Sequence, residues 1–383
     1  MSPSRFAIVD GSSSVLPYDY QLARALAAQG ARIDFFGSTT RYNGELLDAM
    51  RALPGVAVHA RAISSTVAPR WRGAAAYLAL LWRLWRERSG YEAVNLQFSI
   101  LWPLELPFLV AMREKLVFTV HNAVPHEHGG RRHAATGWIA ALARTLVFPS
   151  QYTHDDFLRR YGERFRARSV VAQHGASPLV ADAPAVPYRP LAAPEALVYW
   201  STVKPYKGVE LFAELARSPR VGGTGLPLEV HGAWASVLSG LRDELIGLGV
   251  KVASGFLDTA SVLALFARPV VFLLPNRDAT QSGALYTLLH HGCFFICADA
   301  GDLGVFMRRF GLERLLLKER SADAVADCLA ALRADPAGIA QAFQAAQDAS
   351  SWTATTAGLA AVYAGAAAAA PADPDATIGA SRR

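Results

Sequence analysis

Residues 277–288 have the sequence RDATQSGALYTL and directly follow an apolar run at residues 270–275. The apolar run predicts a buried strand, and the apolar residues after Gly283 predict a helix. Small and hydroxyl-bearing residues lie between them, where backbone N–H groups at a helix N-terminus can bind an anion. The stretch therefore predicts a strand, a turn and a helix that together hold an anionic ligand.

Length and composition indicate a folded protein with two domains. The 383 residues exceed what one hydrophobic core usually supports. Hydrophobic residues make up 52% of the chain and charged residues 18%, which excludes disorder for most of it. The net charge of +6 permits an anionic partner, but the arginines are scattered, so nucleic acid is not expected as a partner.

Cysteine use and the N-terminal sequence predict a cytoplasmic protein. The three cysteines lie in apolar or helical contexts without metal-ligand spacing, as expected for buried thiols in a reducing compartment. The chain begins with MSPSRFAIVD, which runs into a strand and lacks the apolar core of a signal peptide. Two uncharged windows, residues 280–298 and 350–372, do not resemble lipid-facing helices.

Strand-like runs alternate with helical periodicity along the chain. This alternation is typical of α/β proteins with parallel sheets covered on both faces. Five prolines within residues 178–194 predict a linker between two such arrays. We therefore expect two doubly wound, Rossmann-like domains facing a central cleft, with ligands beyond the carboxyl ends of the strands. The predicted segments are an N-terminal domain (1–177), the linker (178–194), a C-terminal domain (195–338), helices packing back on the first domain (339–364) and a disordered tail (365–383).

A second segment that would face the cleft contains two lysines. The sequence STVKPYKG at residues 201–208 follows a predicted strand at residues 197–200. Lys204 and Lys207 would lie in a strand-to-helix loop, where they could neutralise a diphosphate leaving group. The alternative is a solvated loop with ordinary surface lysines.

Several short motifs occur along residues 6–363 in the order and spacing of a known family. The main ones are VKPYKG at 203–208, LPNRDATQSG at 274–283, and TVHN at 119–122 with PHE at 125–127. Weaker ones are QHG at 173–175, HG at 231–232, SGF at 254–256 and AGDL at 300–303. In this set the chain resembles the GT-B glycosyltransferases, particularly the retaining family-four group that builds bacterial surface polysaccharides from nucleotide sugars.

The resemblance implies roles for individual residues. Lys207, helped by Lys204, would bind the diphosphate of a nucleotide sugar, and His121 would lie near the transferred sugar. The catalytic candidates are His121, Lys207, Glu127 and Asp278. The donor-binding candidates are Lys204, Lys207, His231, Gly232, Phe256, Thr280, Gln281, Ser282, Gly283, Ala284 and Leu285. The candidates for an acceptor-side or phosphate loop are Gly11, Ser12, Ser13 and Asn122. Such enzymes usually need no metal ion or other cofactor, because lysines and a helix dipole stabilise the departing phosphate.

The chain departs from the family in its carboxylates. The family commonly has two glutamates eight residues apart, at or near Asp278 and Tyr286, or equivalently Ala279 and Thr287. Only Asp278 keeps a carboxylate here, and the arginine that the family commonly has at Thr202 is absent. The identity of the sugar and the retention of its configuration therefore stay open.

Four histidines surround Glu127 in the sequence, which suggests a metal site. They are His121, His126, His128 and His133. Their spacing matches no standard ligand pattern, so a loop that lines the cleft is favoured over a metal site. Glu127 is then a candidate acceptor-side base, with a solvent-exposed carboxylate as the alternative, and Asp10 and Asp19 are weaker candidates.

Residues 71–86 combine tryptophan and arginine on one predicted helix. Trp71, Trp82 and Trp85 fall on one stripe, and arginines form a neighbouring strip. This composition is typical of an interfacial membrane anchor, but it also fits a helix buried against the first sheet with its arginines reaching water. On the first interpretation the inner membrane surface is a partner, and a polyprenyl-linked acceptor is expected.

Together these features predict a hexosyltransferase. It would move a hexose from a UDP- or GDP-linked donor to a hydroxyl of a glycan or lipid-linked oligosaccharide in surface polysaccharide synthesis. The alternatives are an inverting transferase or a sugar-nucleotide epimerase on the same fold, and a catalytically degenerate binding or assembly partner. A dinucleotide dehydrogenase is disfavoured, because no predicted strand is followed by Gly-x-Gly-x-x-Gly.

Overall fold

The computed structural model describes residues 3–41, 43–123, 131–279 and 282–365, without the side chains of residues 131–133. The described residues form two compact units. The first comprises those of Met1–His174 and Trp352–Arg383, and the second comprises those of Gly175–Ser351. Each unit contains one sheet with helices between its strands, so the predicted α/β class is confirmed.

The first unit is built on a seven-stranded parallel sheet. Its strands are β1 (Arg5–Asp10), β2 (Arg32–Ser38), β3 (Val56–Arg61), β4 (Ala93–Leu96), β5 (Leu116–Thr119), β6 (Thr145–Phe148) and β7 (Ser169–Val171). Its first helices are α1 (Leu16–Ala28), α2 (Gly44–Ala52), α3 (Arg70–Glu87), α4 (Leu106–Ala111), α5 (Arg131–Leu142) and α6 (Gln151–Tyr161). The sheet order is β3-β2-β1-β4-β5-β6-β7, so the direction of strand addition reverses between β1 and β4. At such a switch point a crevice opens beyond the carboxyl ends of the two strands.

The second unit is built on a six-stranded parallel sheet. Its strands are β8 (Leu197–Trp200), β9 (Leu228–Gly232), β10 (Lys251–Ser254), β11 (Val271–Leu274), β12 (Phe294–Ala298) and β13 (Leu316–Leu317). Its helices are α7 (Leu211–Arg217), α8 (Ser239–Gly247), α9 (Thr259–Phe266), α10 (Gly283–His290), α11 (Asp302–Arg309), α12 (Ala322–Ala334) and α13 (Pro336–Ala349). The sheet order is β10-β9-β8-β11-β12-β13, which places the switch point between β8 and β11.

The central strands are apolar because helices cover both faces of each sheet. Residues 6–9 of β1 and residues 271–274 of β11 are buried along their whole length. Two strands were not predicted from the sequence. β3 lies at a sheet edge and is only partly buried, and β13 has just two residues. Neither strand has the long apolar run that identifies a central strand.

The proline-rich segment at 178–194, predicted as a linker, packs on the second unit. The backbone N–H of Val186 donates to the carbonyl oxygen of His290 at 2.9 Å. The Tyr188 ring stacks on Phe343 with 5.0 Å between centroids. Proline excludes a helix here, but these side chains and backbone groups still have partners on α10 and α13.

The chain returns to the first unit at Trp352, which is later than the predicted boundary at Ile339. The stretch predicted as helices packing back on the first domain contains most of α13, which stays in the second unit, then α14 (Trp352–Thr355) and α15 (Leu359–Tyr363) in the first unit. α13 stays because its apolar side chains pack around Tyr188. In the first unit, the Tyr363 ring meets Phe6 edge-on at 5.5 Å. Residues 366–383, most of the predicted tail, lie outside the described residues.

The tryptophan-containing helix, α3, buries a different face from its tryptophans. Its buried side is formed by Gly73, Tyr77, Leu80, Leu81 and Leu84. Trp71 is 69% exposed and Trp82 is 52% exposed. The helix therefore does pack against the first sheet, as one of the two interpretations expected, but it does so through this side and leaves Trp71 and Trp82 exposed. None of the helices that the structure describes combines the length and apolar character needed to cross a bilayer.

Candidate active site

Two loops of the second unit meet at its switch point, beyond the carboxyl ends of β8 and β11. The backbone N–H of Arg277 donates to the carbonyl oxygen of Tyr206 at 2.8 Å. Gly208 has a φ of +72°, and a Cβ atom added there would lie 2.0 Å from the carbonyl oxygen of Pro275. Only glycine permits this approach. The lysine-containing loop and the stretch that begins at Pro275 are therefore in direct contact.

Lys207 is partly buried in this pair of loops. Its Nζ lies 5.3 Å from the centroid of the Tyr206 ring. Burial, followed by the positive charge of Lys204, lowers the pKa of Lys207 to about 8. A cation that is disfavoured in the free protein is stabilised when an anion binds beside it. This environment differs from that of a solvated surface lysine and suits a negatively charged ligand.

The start of α10 supplies a buried hydroxyl without a partner. Ser282 directly precedes the helix and is 2% exposed, and its Oγ has no hydrogen-bond partner among the described residues. Such a hydroxyl costs free energy unless a ligand or water bonds to it. The neighbouring Gly283 is exposed, and a Cβ atom there would meet nothing within 4 Å. The helix start is therefore open to an anion.

Arginines that the sequence analysis did not single out surround the same loops. Glu210 pairs with Arg277 at 2.6 Å and also with Arg320. Arg320 donates a further hydrogen bond to the carbonyl oxygen of Pro275 at 3.1 Å. Asp278 is exposed beside Arg277. Arg320 follows the two-residue strand β13 and belongs to no motif, so no sequence signal pointed to it.

Of the two positions for the family's second carboxylate, Tyr286 lies in the core and Thr287 is partly buried. Tyr286 is fully buried, and its hydroxyl donates to Oδ2 of Asp302 at 3.3 Å. The backbone N–H of Asp302 donates to the carbonyl oxygen of Ala279 at 3.0 Å. The Leu285 side chain is also buried, so only the backbone of Leu285 could contact a donor. The sequence analysis included Asp302 only in a weak motif and missed this connection between the loops after β11 and β12.

The loop after β9 also approaches the lysine loop. A Cβ atom at Gly232 would lie 1.8 Å from the carbonyl oxygen of Ser201, so a larger residue cannot fit. The side chain of His231 is engaged elsewhere, with Nε2 2.8 Å from Oε2 of Glu229. Burial would raise the pKa of Glu229, but hydrogen bonds from Arg268 and His231 lower it to about 2. His231 is therefore held in an ion-pair network, whereas Phe256 is largely exposed.

In the first unit, a serine loop follows β1 at the switch point. The buried carboxylate of Asp10 accepts hydrogen bonds from the backbone N–H groups of Ser12 and Val15, both at 3.1 Å, and from the Ser12 hydroxyl at 2.7 Å. Ser13 Oγ accepts from the backbone N–H of Ser38 at 2.8 Å. A Cβ atom at Gly11 would lie 2.4 Å from the Tyr77 ring. These contacts hold the loop rigidly.

The two weaker base candidates have structural environments instead. The carboxylate of Asp10 already accepts hydrogen bonds from the serine loop. Burial, followed by the charge of Asp10, raises the pKa of Asp19 well above its usual value. Asp19 is completely buried, so its charged form is disfavoured. Neither carboxyl group is suited to accept a proton from a substrate hydroxyl.

His121 lies at the end of a buried chain of amide side chains. Its Nε2 is 2.7 Å from Oε1 of Gln97, whose Nε2 donates to Oδ1 of Asn95. Asn95 in turn donates to the Thr119 hydroxyl at 2.8 Å. Because each amide donates away from His121, the Gln97 oxygen faces the histidine and accepts a hydrogen bond from its Nε2–H. The ring also stacks on Phe98, with 4.9 Å between centroids, so both its tautomer and its orientation are set.

Comparisons with known proteins identify the fold. Residues 18–177 match the family model described as Glycosyltransferase Family 4. Sucrose-phosphate synthase from Thermosynechococcus elongatus is 17% identical with a TM-score of 0.67, over 94% of this chain and 98% of that chain. The chain has the GT-B fold. HepE from Anabaena, solved in complex with UDP and glucose, is 14% identical with a TM-score of 0.64, over 95% of this chain and 100% of that chain.

A third GT-B structure that is similar is α,α-trehalose-phosphate synthase (UDP-forming) from Burkholderia vietnamiensis. It is 10% identical with a TM-score of 0.61, over 94% of this chain and 99% of that chain. No curated protein sequence matches the chain. The resemblance to GT-B glycosyltransferases inferred from short motifs is confirmed, and the match to the family model lies almost entirely in the first unit.

Some predicted site residues fall outside the described part of this GT-B chain. They are His126, Glu127, His128, Thr280 and Gln281, together with the side chain of His133. Asn122, next to His121, is described and partly buried. Within the described ranges, no three His, Cys, Asp or Glu side chains are grouped as metal ligands would be.

Proposed function

We propose that the protein transfers a hexose from a nucleotide-diphospho sugar to a hydroxyl of a glycan or lipid-linked acceptor in surface polysaccharide synthesis. The donor would be UDP-glucose or a related UDP- or GDP-sugar. HepE, which is similar in fold, was solved with UDP and glucose, and this supports a UDP-linked donor. The reaction would retain configuration, as the resemblance implies, and would proceed without a metal ion at the inner face of the cytoplasmic membrane.

One observation carries the proposal, namely that Lys207 and the start of α10 lie on two loops joined beyond β8 and β11. The bond between the anomeric carbon and the diphosphate breaks, and its electron pair leaves with the diphosphate oxygen. Lys207 and Lys204 neutralise this developing charge, and the N–H groups at Gly283 and Ala284 add a helix dipole. Because these groups are already in place, little reorganisation opposes bond cleavage.

The acceptor oxygen forms the new bond to the anomeric carbon, and its proton passes to a base. Glu127 remains the candidate for that base. His121 would contact the transferred sugar, and Gln97 would keep its ring in one tautomer. Asp278, exposed next to the two loops, would accept hydrogen bonds from the donor in place of the missing glutamates.

Removing Lys207 should test whether this residue binds the diphosphate of the donor. We expect Lys207→Ala to weaken UDP binding, measured by calorimetry, by at least about tenfold, and to lower turnover with UDP-glucose further, because the charge is needed most as the diphosphate leaves. The matched control is Lys251→Ala, an exposed lysine at the amino end of β10. Equal UDP affinity in both variants would remove Lys207 from the site.

One observation favours a second function, the binding of nucleotide without catalysis. Neither Tyr286, which lies in the core, nor Thr287 has a carboxylate where the family commonly has its second glutamate, so the donor would lose one of its usual carboxylate contacts. UDP binding without turnover on any acceptor would support this degenerate form. Conversion of the donor without an acceptor would instead support an epimerase, and a product of inverted configuration would support an inverting transferase.

A further inference from the structure

We infer that the outer face of the α3–α4–α5 helix layer binds an anionic phospholipid bilayer. The inference names the surface through which the protein would reach the membrane given in the proposed function, and its test does not depend on the transfer reaction. It extends beyond the helix with the tryptophan stripe, because neighbouring helices contribute to the same face. The relevant surface, called the tryptophan face below, consists of Trp71, Trp82, Leu104, Val110 and Trp138.

The three helices lie side by side on one side of the first sheet. α3 contacts α4, and α4 contacts α5. Their inner sides contribute Leu80, Leu84, Leu109 and Ile139 to a common core with the sheet. An exposed apolar residue on these helices therefore projects away from that core. Right-handed crossovers after β3, β4 and β5 place all three connections on the same side.

The tryptophan face exposes large apolar side chains that a water-soluble surface would normally avoid. Trp138 on α5 is 62% exposed, Leu104 just before α4 is 57% exposed and Val110 on α4 is 43% exposed. On α3 the Trp82 ring stacks on Trp85, with 4.8 Å between centroids, and remains half exposed. Tryptophan is the side chain that concentrates at membrane–water interfaces, because its ring is apolar and its N–H is polar.

Arginines border the same face. α3 contains four arginines and one glutamate, Glu87. That glutamate pairs with Arg83 at 2.9 Å and also with Arg5. Neither Arg72 nor Arg86 forms an ion pair with any residue that the structure describes. The Arg72 guanidinium lies 5.0 Å from the centroid of the Trp71 ring, so cation and ring present a joint surface.

The arginines beside the tryptophan face indicate that its partner is an anionic bilayer. A bilayer with anionic headgroups attracts the arginines, while the tryptophans and aliphatic side chains enter the headgroup boundary. A protein partner would instead need a complementary acidic and apolar groove. Binding should therefore require anionic lipid and should weaken as salt screens the charges.

Vesicle sedimentation of the full chain tests the inference. We expect binding to phosphatidylcholine vesicles that contain about one third phosphatidylglycerol, and little binding to phosphatidylcholine alone. Trp71→Ala with Trp82→Ala, and separately Trp138→Ala, should lower the partition coefficient by about tenfold and several-fold, respectively. Arg72→Glu with Arg86→Glu should abolish the dependence on anionic lipid.

The matched controls lie in the second unit. Ile246→Ala removes an exposed apolar side chain from α8, and Arg333→Glu reverses an exposed charge on α12. Both controls should bind vesicles as the wild type does, and all variants should keep their melting temperature and UDP affinity. The inference fails if wild type ignores anionic vesicles or if the surface variants bind them equally well. It also fails if wild type is a dimer that Trp71→Ala with Trp82→Ala makes monomeric.

Discussion

At the scale of single residues, burial disfavours the charged forms of both Lys207 and Asp19. It lowers the pKa of Lys207 to about 8 and raises the pKa of Asp19 well above its usual value. An anion bound beside Lys207 offsets the cost of burying its positive charge, whereas Asp19 avoids such a cost in its uncharged form. Desolvation thus prepares Lys207 to bind an anion and makes Asp19 unsuitable as a base.

The pH dependence of nucleotide binding should report on Lys207. The free protein loses the Lys207 proton as pH rises through about 8, whereas a bound diphosphate keeps it. UDP affinity should therefore fall from pH 7 to pH 9.5, and binding near pH 9 should take up a proton, visible in calorimetry with buffers of different ionisation enthalpy. Lys207→Ala should flatten this profile and Lys251→Ala should not. A flat wild-type profile would contradict the assignment.

Substitutions of the two buried aspartates should have opposite effects on stability. The folded-state pKa of Asp19 lies above its unfolded value, so rising pH above about 4 costs stability, because only the unfolded chain releases the proton. Asp19→Asn should be at least as stable as wild type at pH 7, and any gain should shrink toward pH 4. Asp10→Asn should cost about 2 kcal/mol, because three donors of the serine loop lose a charged acceptor. Thermal unfolding at both pH values provides the measurement, and equal losses in the two variants would refute this account.

At the scale of elements, close backbone approach joins the loops of the second unit. Gly208 brings the loop after β8 onto the end of β11, and Gly232 brings the loop after β9 onto the loop after β8. Three strand ends are connected in this way without any side chain between them. A site assembled from backbone contacts depends on glycine more than on the side chains that touch the ligand.

Gly208→Ala should disrupt this connection. The added Cβ would clash with the carbonyl oxygen of Pro275, so the loops must separate, and both stability and UDP affinity should fall. Gly225→Ala is the matched control, because Gly225 has a similar φ of +74° but no atom within 4 Å of an added Cβ. The control should lose only the cost of backbone strain, about 1 kcal/mol. Similar losses of UDP affinity in both variants would show that the loop contact is unimportant.

At the scale of the whole molecule, the division of the chain was only partly predictable. Alternating apolar runs and helical periods identified the α/β class and most central strands, because central strands of a covered parallel sheet must be apolar throughout. Proline content predicted a linker at 178–194, but Tyr188 and Val186 pack on α10 and α13. Composition reports which local conformations are excluded and cannot report which distant surface a segment covers.

By itself, the sequence determined the fold class, the motif order that resembles GT-B glycosyltransferases, and the two loops in which Lys207 and Ser282 lie. These features are local, since periodicity and short spacing record the conformation of adjacent residues. Only the tertiary structure decided that Arg320 and Asp302 join those loops and that His231 forms a hydrogen bond with Glu229. It also decided that Trp71 and Trp82 of α3 are exposed. Such contacts join residues that are distant in the chain, and strand order and packing, which no local pattern encodes, bring them together.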